Sequence, residues 1–159
     1  MLRVFLGTGD AWELLRLAAK RVWGMEELPE VIRQPGGKPV FAYGDQRHFN
    51  LSHSGELVLC ALSDRPVGVD IEMIRPRKDG LIDYALDEEE QQRFRELGGD
   101  WPAFYTLWTQ KESIVKYTGE GLKGFRQIHV PEGCTITYLS GEGWKGAVCG
   151  HERAEEERV

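Results

Sequence analysis

The length, composition and charge of this chain exclude several classes of protein. Its 159 residues suffice for one domain or a pair of small lobes, and 41% hydrophobic with 29% charged residues is typical of a folded domain. A formal net charge of −6 argues against nucleic acid as the main partner, although it leaves room for a local basic pocket. No apolar run reaches the roughly 20 residues of a membrane-spanning helix, so no membrane partner is predicted.

The cysteines and the start of the chain indicate the compartment. Cys60, Cys134 and Cys149 are odd in number and lack C-x-x-C spacing, which argues against a disulfide framework and against a zinc site. The apolar stretch at residues 1–6 is too short for the core of a signal peptide. The sequence therefore predicts a cytoplasmic protein.

The first part of the chain is predicted to alternate short strands with one helix. Asp10 followed by Glu13 has the spacing of a capping box, which predicts a helix that ends near Gly24. The segment Ser52-His53-Ser54 has no G-x-S-x-G surroundings, so it is expected in a loop whose donors bind an anion, or in a purely structural turn. Strands are predicted over residues 2–6, 31–32, 40–43 and 57–62, with a turn at 44–45.

The second part of the chain carries two further predicted helices. Asp87 with Glu90 repeats the capping-box pattern, and Pro102 suits the first turn of a long helix that ends near Gly119. Residues 75–80 break the pattern, and the charged residues 151–159 are expected to fray. Strands are predicted over residues 67–74, 134–139 and 144–149. Strands grouped with helices between them indicate an α+β fold with an antiparallel sheet.

Two carboxylates share one face of the strand predicted at residues 67–74. Side chains of a strand alternate between its faces, so Asp70 and Glu72 lie opposite the apolar residues. Like charges side by side repel each other, which favours a cation between them. Gly68 on the same face would let a ligand approach the backbone. The spacing is equally compatible with two acids that simply face solvent.

A third carboxylate, Glu112, interrupts the apolar stripe of the long helix. That stripe follows three- and four-residue spacing and consists of Trp101, Tyr105, Trp108 and Val115. A half-buried carboxylate needs a partner, which Lys116 one turn on supplies only in part. With Asp70 and Glu72, it forms a set of hard oxygen ligands that suits Mg²⁺. Lys111 and Lys116 could clamp a phosphate, but a surface pair worth ~0.3–0.5 kcal/mol is the more common outcome of such spacing.

Five segments together resemble the 4′-phosphopantetheinyl transferase superfamily. They are Gly37-Lys38-Pro39, Phe49-Asn50-Leu51-Ser52-His53-Ser54, Gly68-Val69-Asp70-Ile71-Glu72, Trp108-x-x-Lys111-Glu112-x-x-x-Lys116 and Gly119-x-Gly121-Leu122. Their order is similar to that of the two-lobed members that activate peptide and polyketide synthases, and the resemblance covers about residues 14–130. It implies the family's α+β fold, with two pseudo-related lobes of antiparallel strands and packed helices. Residues 1–66 would form the N-terminal lobe that contacts coenzyme A, 67–150 the C-terminal lobe with the metal site and catalytic helix, and 151–159 a charged tail.

The resemblance also implies a reaction. This is the Mg²⁺-dependent transfer of the 4′-phosphopantetheine arm from coenzyme A to a serine of an apo acyl or peptidyl carrier protein, with release of adenosine 3′,5′-bisphosphate. By motif position, Asp70, Glu72 and Glu112 would hold Mg²⁺, or Mn²⁺ in its place. Glu112 would be the base for the carrier serine, directly or through water, and Lys116 would stabilise charge on the phosphates.

The remaining site residues are likewise implied by the resemblance alone. Coenzyme A would contact Arg16, Lys38, Ser52, His53, Lys111 and Lys116, with His53 near the 3′-phosphate. Glu90 resembles a further acidic position of the family. An acidic carrier would meet a basic and apolar surface, for which Arg75, Arg77, Lys78, Leu81 and Ile82 are candidates.

The chain departs from the two-lobed members in length. The shortening is expected in the first lobe, where residues 10–23 with Arg16 are all that matches the family's early basic helix. Two other functions therefore stay open at this point. One is a non-catalytic relative that binds coenzyme A or a carrier protein, and the other is an Mg²⁺-dependent phosphohydrolase that uses the same carboxylates.

Overall fold

A computed structural model of the protein describes residues 1–43, 46–121 and 123–159, and within them it contains nine strands and four α-helices. In chain order the elements are β1 (Leu2–Thr8), α1 (Ala11–Trp23), β2 (Val31–Arg33), β3 (Pro39–Phe41), β4 (His48–Ser54), β5 (Leu57–Ser63), β6 (Gly68–Met73), α2 (Gly80–Ala85), α3 (Glu88–Glu96), α4 (Trp101–Thr118), a 3-10 turn (Phe125–Gln127), β7 (Thr135–Gly141), β8 (Trp144–Gly150) and β9 (Glu155–Arg158). The predicted turn at 44–45 and Leu122 of the last motif lie outside the described residues. The predicted α+β class is confirmed, because helices pack on largely antiparallel sheets.

Two sheets and two helices form four layers. The first sheet has the order β4-β5-β1-β9, and α1 packs on its outer face through a core that includes Phe5, Leu15 and Phe49. The second sheet has the order β6-β8-β7 and packs against the inner face of the first through residues such as Val4 and Ile71. Helix α4 covers the other face of the second sheet, and α2 and α3 pack on α4. The small β2–β3 hairpin leads from α1 towards β4.

The predicted helix boundaries agree with the structure because capping side chains set them. Asp10 accepts hydrogen bonds from the backbone of Trp12 and Glu13 at the start of α1, although Glu13 pairs with Arg16 rather than closing the capping box. The box of Asp87 and Glu90 at α3 is complete. Among the described residues, no helix combines the length and the apolar character that a membrane crossing requires.

The expectation that Ser52-His53-Ser54 lies in a loop or turn is wrong. These residues belong to β4, which pairs with β5 along its length, with Ser52 opposite Leu59. Phe49 and Leu51 point towards α1, while Asn50, Ser52 and Ser54 point the other way and reach β6. The segment therefore has the alternation of a strand, in which polar side chains take the place of the second apolar face.

The expectation that residues 151–159 fray is also wrong. Residues Glu155–Arg158 form β9, which pairs in parallel with β1 and places Arg3 opposite Glu155. Arg3 and Arg21 contact the carboxylates of this strand. A strand of charged residues is stable here because β9 is an edge strand, so its side chains project to solvent while its backbone groups complete the hydrogen bonds of β1.

Candidate active site

Asp70 is a buried carboxylate at the centre of the candidate site. It lies on β6 with 4% of its surface exposed, and its Oδ1 accepts a hydrogen bond from the Ser52 hydroxyl at 3.3 Å. Its Oδ2 is enclosed and has no hydrogen-bond partner among the described residues. Burial raises the pKa of Asp70 well above its ordinary value, and Lys116 opposes that rise. A buried carboxylate oxygen without a donor is suited to bind a metal ion.

Glu72 and Glu112 are electrostatic neighbours of Asp70. Both are half-buried, and burial raises the pKa of each of them. A hydrogen bond from the Trp108 indole opposes the rise in the pKa of Glu72, and the charge of Lys116 opposes it in Glu112. The negative charges of Glu72 and Glu112 in turn help to raise the pKa of Asp70. The structure thus brings the three predicted carboxylates into one region, which is one strand face and the helix that covers it.

Helix α4 reaches this strand face because β6 begins with a glycine. A Cβ built on Gly68 would lie 2.1 Å from the carbonyl oxygen of Ser113 and 2.3 Å from the backbone nitrogen of Tyr117. The expectation that Gly68 leaves room for a ligand is therefore wrong, since the backbone of α4 fills that space. The missing side chain contributes indirectly, because it lets the helix bring Glu112 and Lys116 over Asp70.

Lys116 is the cation that lies against the carboxylates. Its Nζ is 3.8 Å from Asp70 Oδ1 and donates to the carbonyl oxygen of Leu51 at 3.2 Å. The side chain is 32% exposed, so its ammonium group can contact a ligand from solvent while it bridges β4 and β6. This position combines one positive charge with three neighbouring negative ones, an arrangement that suits an anionic ligand bound through a metal.

The three carboxylates do not enclose a metal ion by themselves. Within residues 1–43, 46–121 and 123–159, no three imidazole, thiol or carboxylate groups form a cluster tight enough for that. Mg²⁺ usually keeps several waters and binds one or two carboxylates together with phosphates of a substrate. A site completed by substrate phosphates and water fits these carboxylates, among which Asp70 Oδ2 has no hydrogen-bond partner in the described part of the chain, better than a closed structural site does.

Lys111 does not lie beside the proposed metal ligands Asp70, Glu72 and Glu112. Its side chain is 0% exposed, and its Nζ donates to Glu90 at 2.6 Å and to the carbonyl oxygen of Arg126 at 2.8 Å. It also lies over the ring of Phe125. Residues five apart on a helix are separated by roughly 140° around its axis, so Lys111 and Lys116 face different neighbours.

Lys38 fastens the start of β6 to the end of α4. Its Nζ donates to the carbonyl oxygens of Val67 and Tyr117, each at 3.1 Å. Desolvation by burial lowers the pKa of Lys38 to about 8. The carbonyl of Tyr117 belongs to the last turn of α4, where a cation is favourable.

A cleft opens beside Lys116 between α4 and the turn that precedes β3. It is lined by Gly36, Gly37, Lys38, Pro39, Asn50, Leu51, Val115, Lys116, Gly119 and Gly121. A Cβ on Gly36 would lie 2.0 Å from the carbonyl oxygen of Gly119, so the turn can approach the helix end only with glycine there. Residues of four of the five sequence motifs line the cleft, and two of these residues, Lys38 and Lys116, are cationic.

The other predicted contact residues are less central. His53 is exposed on β4 and lies on the opposite side of that strand from Ser52. Arg16 is exposed on α1 and pairs with Glu13 of the same helix. Ser52, in contrast, is only 5% exposed and bonds directly to Asp70.

Sequence reasoning missed Asn50 as a site residue. Its side chain is buried, and its Oδ1 accepts a hydrogen bond from the backbone N–H of Val69 at 2.8 Å. Asn50 also lines the cleft beside Lys116. The signal for it was the strand alternation of residues 49–54, which places a buried amide on the same face as Ser52.

Comparisons with known proteins indicate one family for this chain. A family model described as the 4′-phosphopantetheinyl transferase superfamily matches residues 66–153. A 4′-phosphopantetheinyl transferase of Bacillus subtilis is 35% identical over 161 residues, which cover 86% of this chain and 70% of the relative. The transferase Sfp of Bacillus subtilis strain 168 is 34% identical, with 73% of this chain and 60% of the relative covered. The transferase AcpT of Salmonella typhi is 40% identical over 60% of this chain and 52% of its own length. The chain thus spans between about half and 70% of the length of these relatives.

Proposed function

This chain belongs to the 4′-phosphopantetheinyl transferase superfamily, and we propose that it transfers the 4′-phosphopantetheine arm of coenzyme A to a serine of an apo carrier protein. Adenosine 3′,5′-bisphosphate is the other product. The observation that carries the proposal is the buried Asp70, inside the segment that matches the family. Lys116 lies beside its Oδ1, and its Oδ2 has no hydrogen-bond partner among the described residues. Phosphoryl transfer asks little covalent chemistry of a protein and depends on positioning, a metal and cations.

Three carboxylates hold the metal in this proposal. Asp70, Glu72 and Glu112 would bind Mg²⁺, with Mn²⁺ as a substitute, and the bound ion would neutralise charge on the pyrophosphate of coenzyme A. The donor set consists of hard oxygens, as Mg²⁺ requires, and Asp70 Oδ2 is free to serve as one of them. Burial raises the pKa of all three, repulsion from neighbouring carboxylates adds to the rise in Asp70 and Glu112, and a divalent cation would oppose both effects.

Glu112 and Lys116 carry the chemical step. Glu112 accepts the proton of the carrier serine, directly or through water. The serine oxygen then bonds to the phosphorus that bears the pantetheine arm, and the bond from that phosphorus to the bridging oxygen breaks. Lys116 stabilises the negative charge that develops on the phosphates.

The cleft beside Lys116 is the proposed binding place for coenzyme A. Lys38 and Lys116 contribute positive charge to its wall, and His53 and Arg16 are exposed and free to contact the nucleotide from outside it. Lys111 is predicted from the resemblance to contact coenzyme A as well. Its complete burial against Glu90 leads us instead to assign it to the packing of α3 on α4.

The proposed lobes follow the sheets. The first would comprise residues 1–66, with α1 and most of the first sheet, and the second residues 67–150, with the second sheet and α4. The tail at residues 151–159 returns to the first lobe as β9. The first lobe is predicted to be shorter than in the family. Measuring the affinity for coenzyme A would show whether a lobe of this size still binds it tightly.

The carrier protein would bind next to Glu72. The positive charges of Arg75 and Arg77 oppose the rise in the pKa of that carboxylate, as expected for basic residues in its vicinity. Arg77, Lys78, Leu81 and Tyr84 line an adjoining surface groove. Such a basic and apolar surface suits an acidic carrier helix. The proposal keeps the predicted cytoplasmic location and involves neither nucleic acid nor a membrane.

Transfer to a panel of carriers tests the proposed function. The purified chain is incubated with coenzyme A, Mg²⁺ and several apo acyl and peptidyl carrier proteins, and intact-protein mass spectrometry follows the carriers. One serine of a carrier should gain the phosphopantetheine arm, and the reaction should stop in excess EDTA.

The alternatives give different results in the same assay. Coenzyme A binding without transfer to any carrier would indicate the non-catalytic relative. Release of adenosine bisphosphate in the absence of any carrier would indicate a phosphohydrolase. Failure of both transfer and coenzyme A binding would contradict the proposal.

A further inference from the structure

Strands β4 and β6 lie side by side at the edges of the two sheets and are joined by side chains. Asn50 Oδ1 accepts from the backbone N–H of Val69 at 2.8 Å. Ser52 Oγ accepts from Ile71 at 3.1 Å, and Ser54 Oγ accepts from Met73 at 3.0 Å. We call these three hydrogen bonds the polar seam.

The polar seam takes the place of a main-chain ladder. Residues two apart on a strand share a face, so the three acceptors of β4 meet three N–H groups of β6 that have the same spacing. Without them, the buried N–H groups of Val69 and Ile71 would be left unsatisfied at the edge of β6, which is unfavourable. The position of the strand that carries Asp70 and Glu72 thus depends on side chains of β4.

Ser52 is the seam residue that also contacts a carboxylate. Its hydroxyl accepts from Ile71 and donates to Asp70 Oδ1 at 3.3 Å, so its only donor is used and one acceptor site remains. The Nζ atom of Lys116 is 3.8 Å from the same oxygen, Asp70 Oδ1. One oxygen of Asp70 is therefore held by two partners, whereas Oδ2 has none among the described residues.

We propose that Ser52 is a positioning residue of the metal site: its hydroxyl fixes the Asp70 carboxylate so that Oδ2 is presented to the cation. The inference rests on the proposed metal site and differs from the coenzyme A contact that the resemblance implies for this residue. At 5% exposure and with its hydroxyl already engaged, Ser52 has little capacity left for a nucleotide. Partners that orient a metal ligand typically contribute about 10- to 100-fold to metal affinity.

Three variants separate this role from a general effect on the seam. Ser52→Ala removes the seam bond and the bond to Asp70 together. Ser54→Ala is the control, because it removes a seam bond between a serine hydroxyl and a backbone N–H, at a more exposed position, without touching a carboxylate. Ser52→Thr keeps the hydroxyl and serves as the rescue variant.

The readout is Mn²⁺ affinity of the full chain in the presence of coenzyme A, measured from the electron paramagnetic resonance signal of free Mn²⁺. We expect Ser52→Ala to weaken it by about tenfold or more, and Ser52→Thr to restore most of that loss. Ser54→Ala should stay near the unchanged protein. Binding of coenzyme A without metal, measured by calorimetry, should not change in Ser52→Ala.

The opposite results would overturn the inference. Equal Mn²⁺ affinities of Ser52→Ala and Ser54→Ala would mean that Ser52 contributes to the polar seam but does not position the metal ligand. Weaker metal-free coenzyme A binding with unchanged Mn²⁺ affinity would make its hydroxyl a substrate contact. Should Ser52→Ala not fold, Ser52→Cys replaces it with the same expectation, because a thiol of similar size is a poor donor.

The unchanged protein separates this inference from the proposed function. If it binds no Mn²⁺ with coenzyme A present, the metal site itself is wrong and the positioning role of Ser52 is wrong with it. If it binds Mn²⁺ and transfers the arm while Ser52→Ala behaves like Ser54→Ala, only the positioning role is wrong.

Discussion

At the scale of single residues, the candidate site places charge where folding alone would disfavour it. Asp70 is buried, one of its oxygens has no partner among the described residues, and two further carboxylates lie near it. Burying a charged group lowers stability unless it is paired and hydrogen-bonded. A buried carboxylate that lowers stability in this way is expected to have a function. Both its effect on stability and its effect on transfer can be measured.

The variant Asp70→Asn keeps the shape of the side chain and removes its charge. We expect transfer to fall by at least about 100-fold, because a neutral amide is a poor ligand for Mg²⁺. In metal-free buffer we expect the melting temperature to rise by about 2–4 °C, since a penalty on the order of 1 kcal/mol is relieved. Mass spectrometry of the carrier and calorimetric melting are the two measurements.

The control for that variant is Asp64→Asn. Asp64 is exposed and pairs with the N-terminal ammonium group, so its removal should leave transfer intact. Normal transfer by Asp70→Asn would show that Asp70 is not a metal ligand.

Lys38 makes the stability of the protein depend on pH in a defined window. Burial lowers its pKa to about 8 from an ordinary 10.5. Between these values the unfolded chain binds more protons than the folded one, so the contribution of Lys38 to the unfolding free energy rises with pH. Below pH 8 the lysine is protonated in both states, and the full cost of burying its charge is present.

Urea unfolding of the unchanged protein and of Lys38→Met tests this sign. The difference in unfolding free energy should shift in favour of the unchanged protein between about pH 7 and pH 9.5. Lys20→Met, at an exposed position of α1, serves as the control and should show no such shift. A difference that stays constant over this range would contradict the burial of the Lys38 ammonium group.

At the scale of elements, helix α4 separates two lysines that share one sequence motif. Lys111 is enclosed with Glu90 of α3, whereas Lys116 is partly exposed beside Asp70. We expect Lys111→Met to destabilise the protein by about 3–5 kcal/mol, because it leaves the Glu90 charge buried without its partner. We expect Lys116→Met to fold normally and to lose transfer.

The pair of variants is compared by urea unfolding and by transfer per folded molecule. The double variant Lys111→Met with Glu90→Gln should recover much of the stability, because no unpaired charge remains. A stable Lys111→Met protein that has lost transfer would indicate that Lys111 contacts the phosphates of coenzyme A, as the resemblance implies.

Elements with local determinants could be predicted from the sequence, and those that depend on distant partners could not. Asp10, Asp87 and Gly119 mark helix ends through contacts within a few residues, and the structure confirms those ends. Strand β9 carries four charged residues and owes its pairing to β1, more than 140 positions away. Hydropathy contains no information on such a partner.

The same distinction holds within the candidate site. The alternation in β6 and the stripe of α4 predict which faces carry Asp70, Glu72 and Glu112. That the two faces meet depends on Gly68, whose missing side chain lets the backbone of α4 approach, and the sequence alone suggested a ligand there instead. The polar seam is likewise hidden from the sequence, because Ser52-His53-Ser54 is expected in a loop or a structural turn.

At the scale of the whole molecule, the candidate site lies where the two sheets and α4 meet. Lys116 bridges α4 to β4 and β6, Lys38 ties the end of α4 to the start of β6, and Ser52 links β4 to Asp70. A ligand bound at this site lies where both sheets and α4 meet. Its binding should therefore stabilise the protein as a unit rather than one loop.

Joint addition of Mg²⁺ and coenzyme A should raise the melting temperature markedly. A ligand at about 100 times its dissociation constant contributes about 2.7 kcal/mol, which corresponds to about 5–10 °C for a chain of this size. Mg²⁺ alone should shift it much less, because the ion needs phosphate oxygens to complete its coordination. Differential scanning calorimetry of the unchanged protein and of Asp70→Asn gives the comparison. The joint shift should collapse in the variant to that of coenzyme A alone, and an equal shift in both proteins would mean that coenzyme A binds without a metal at Asp70.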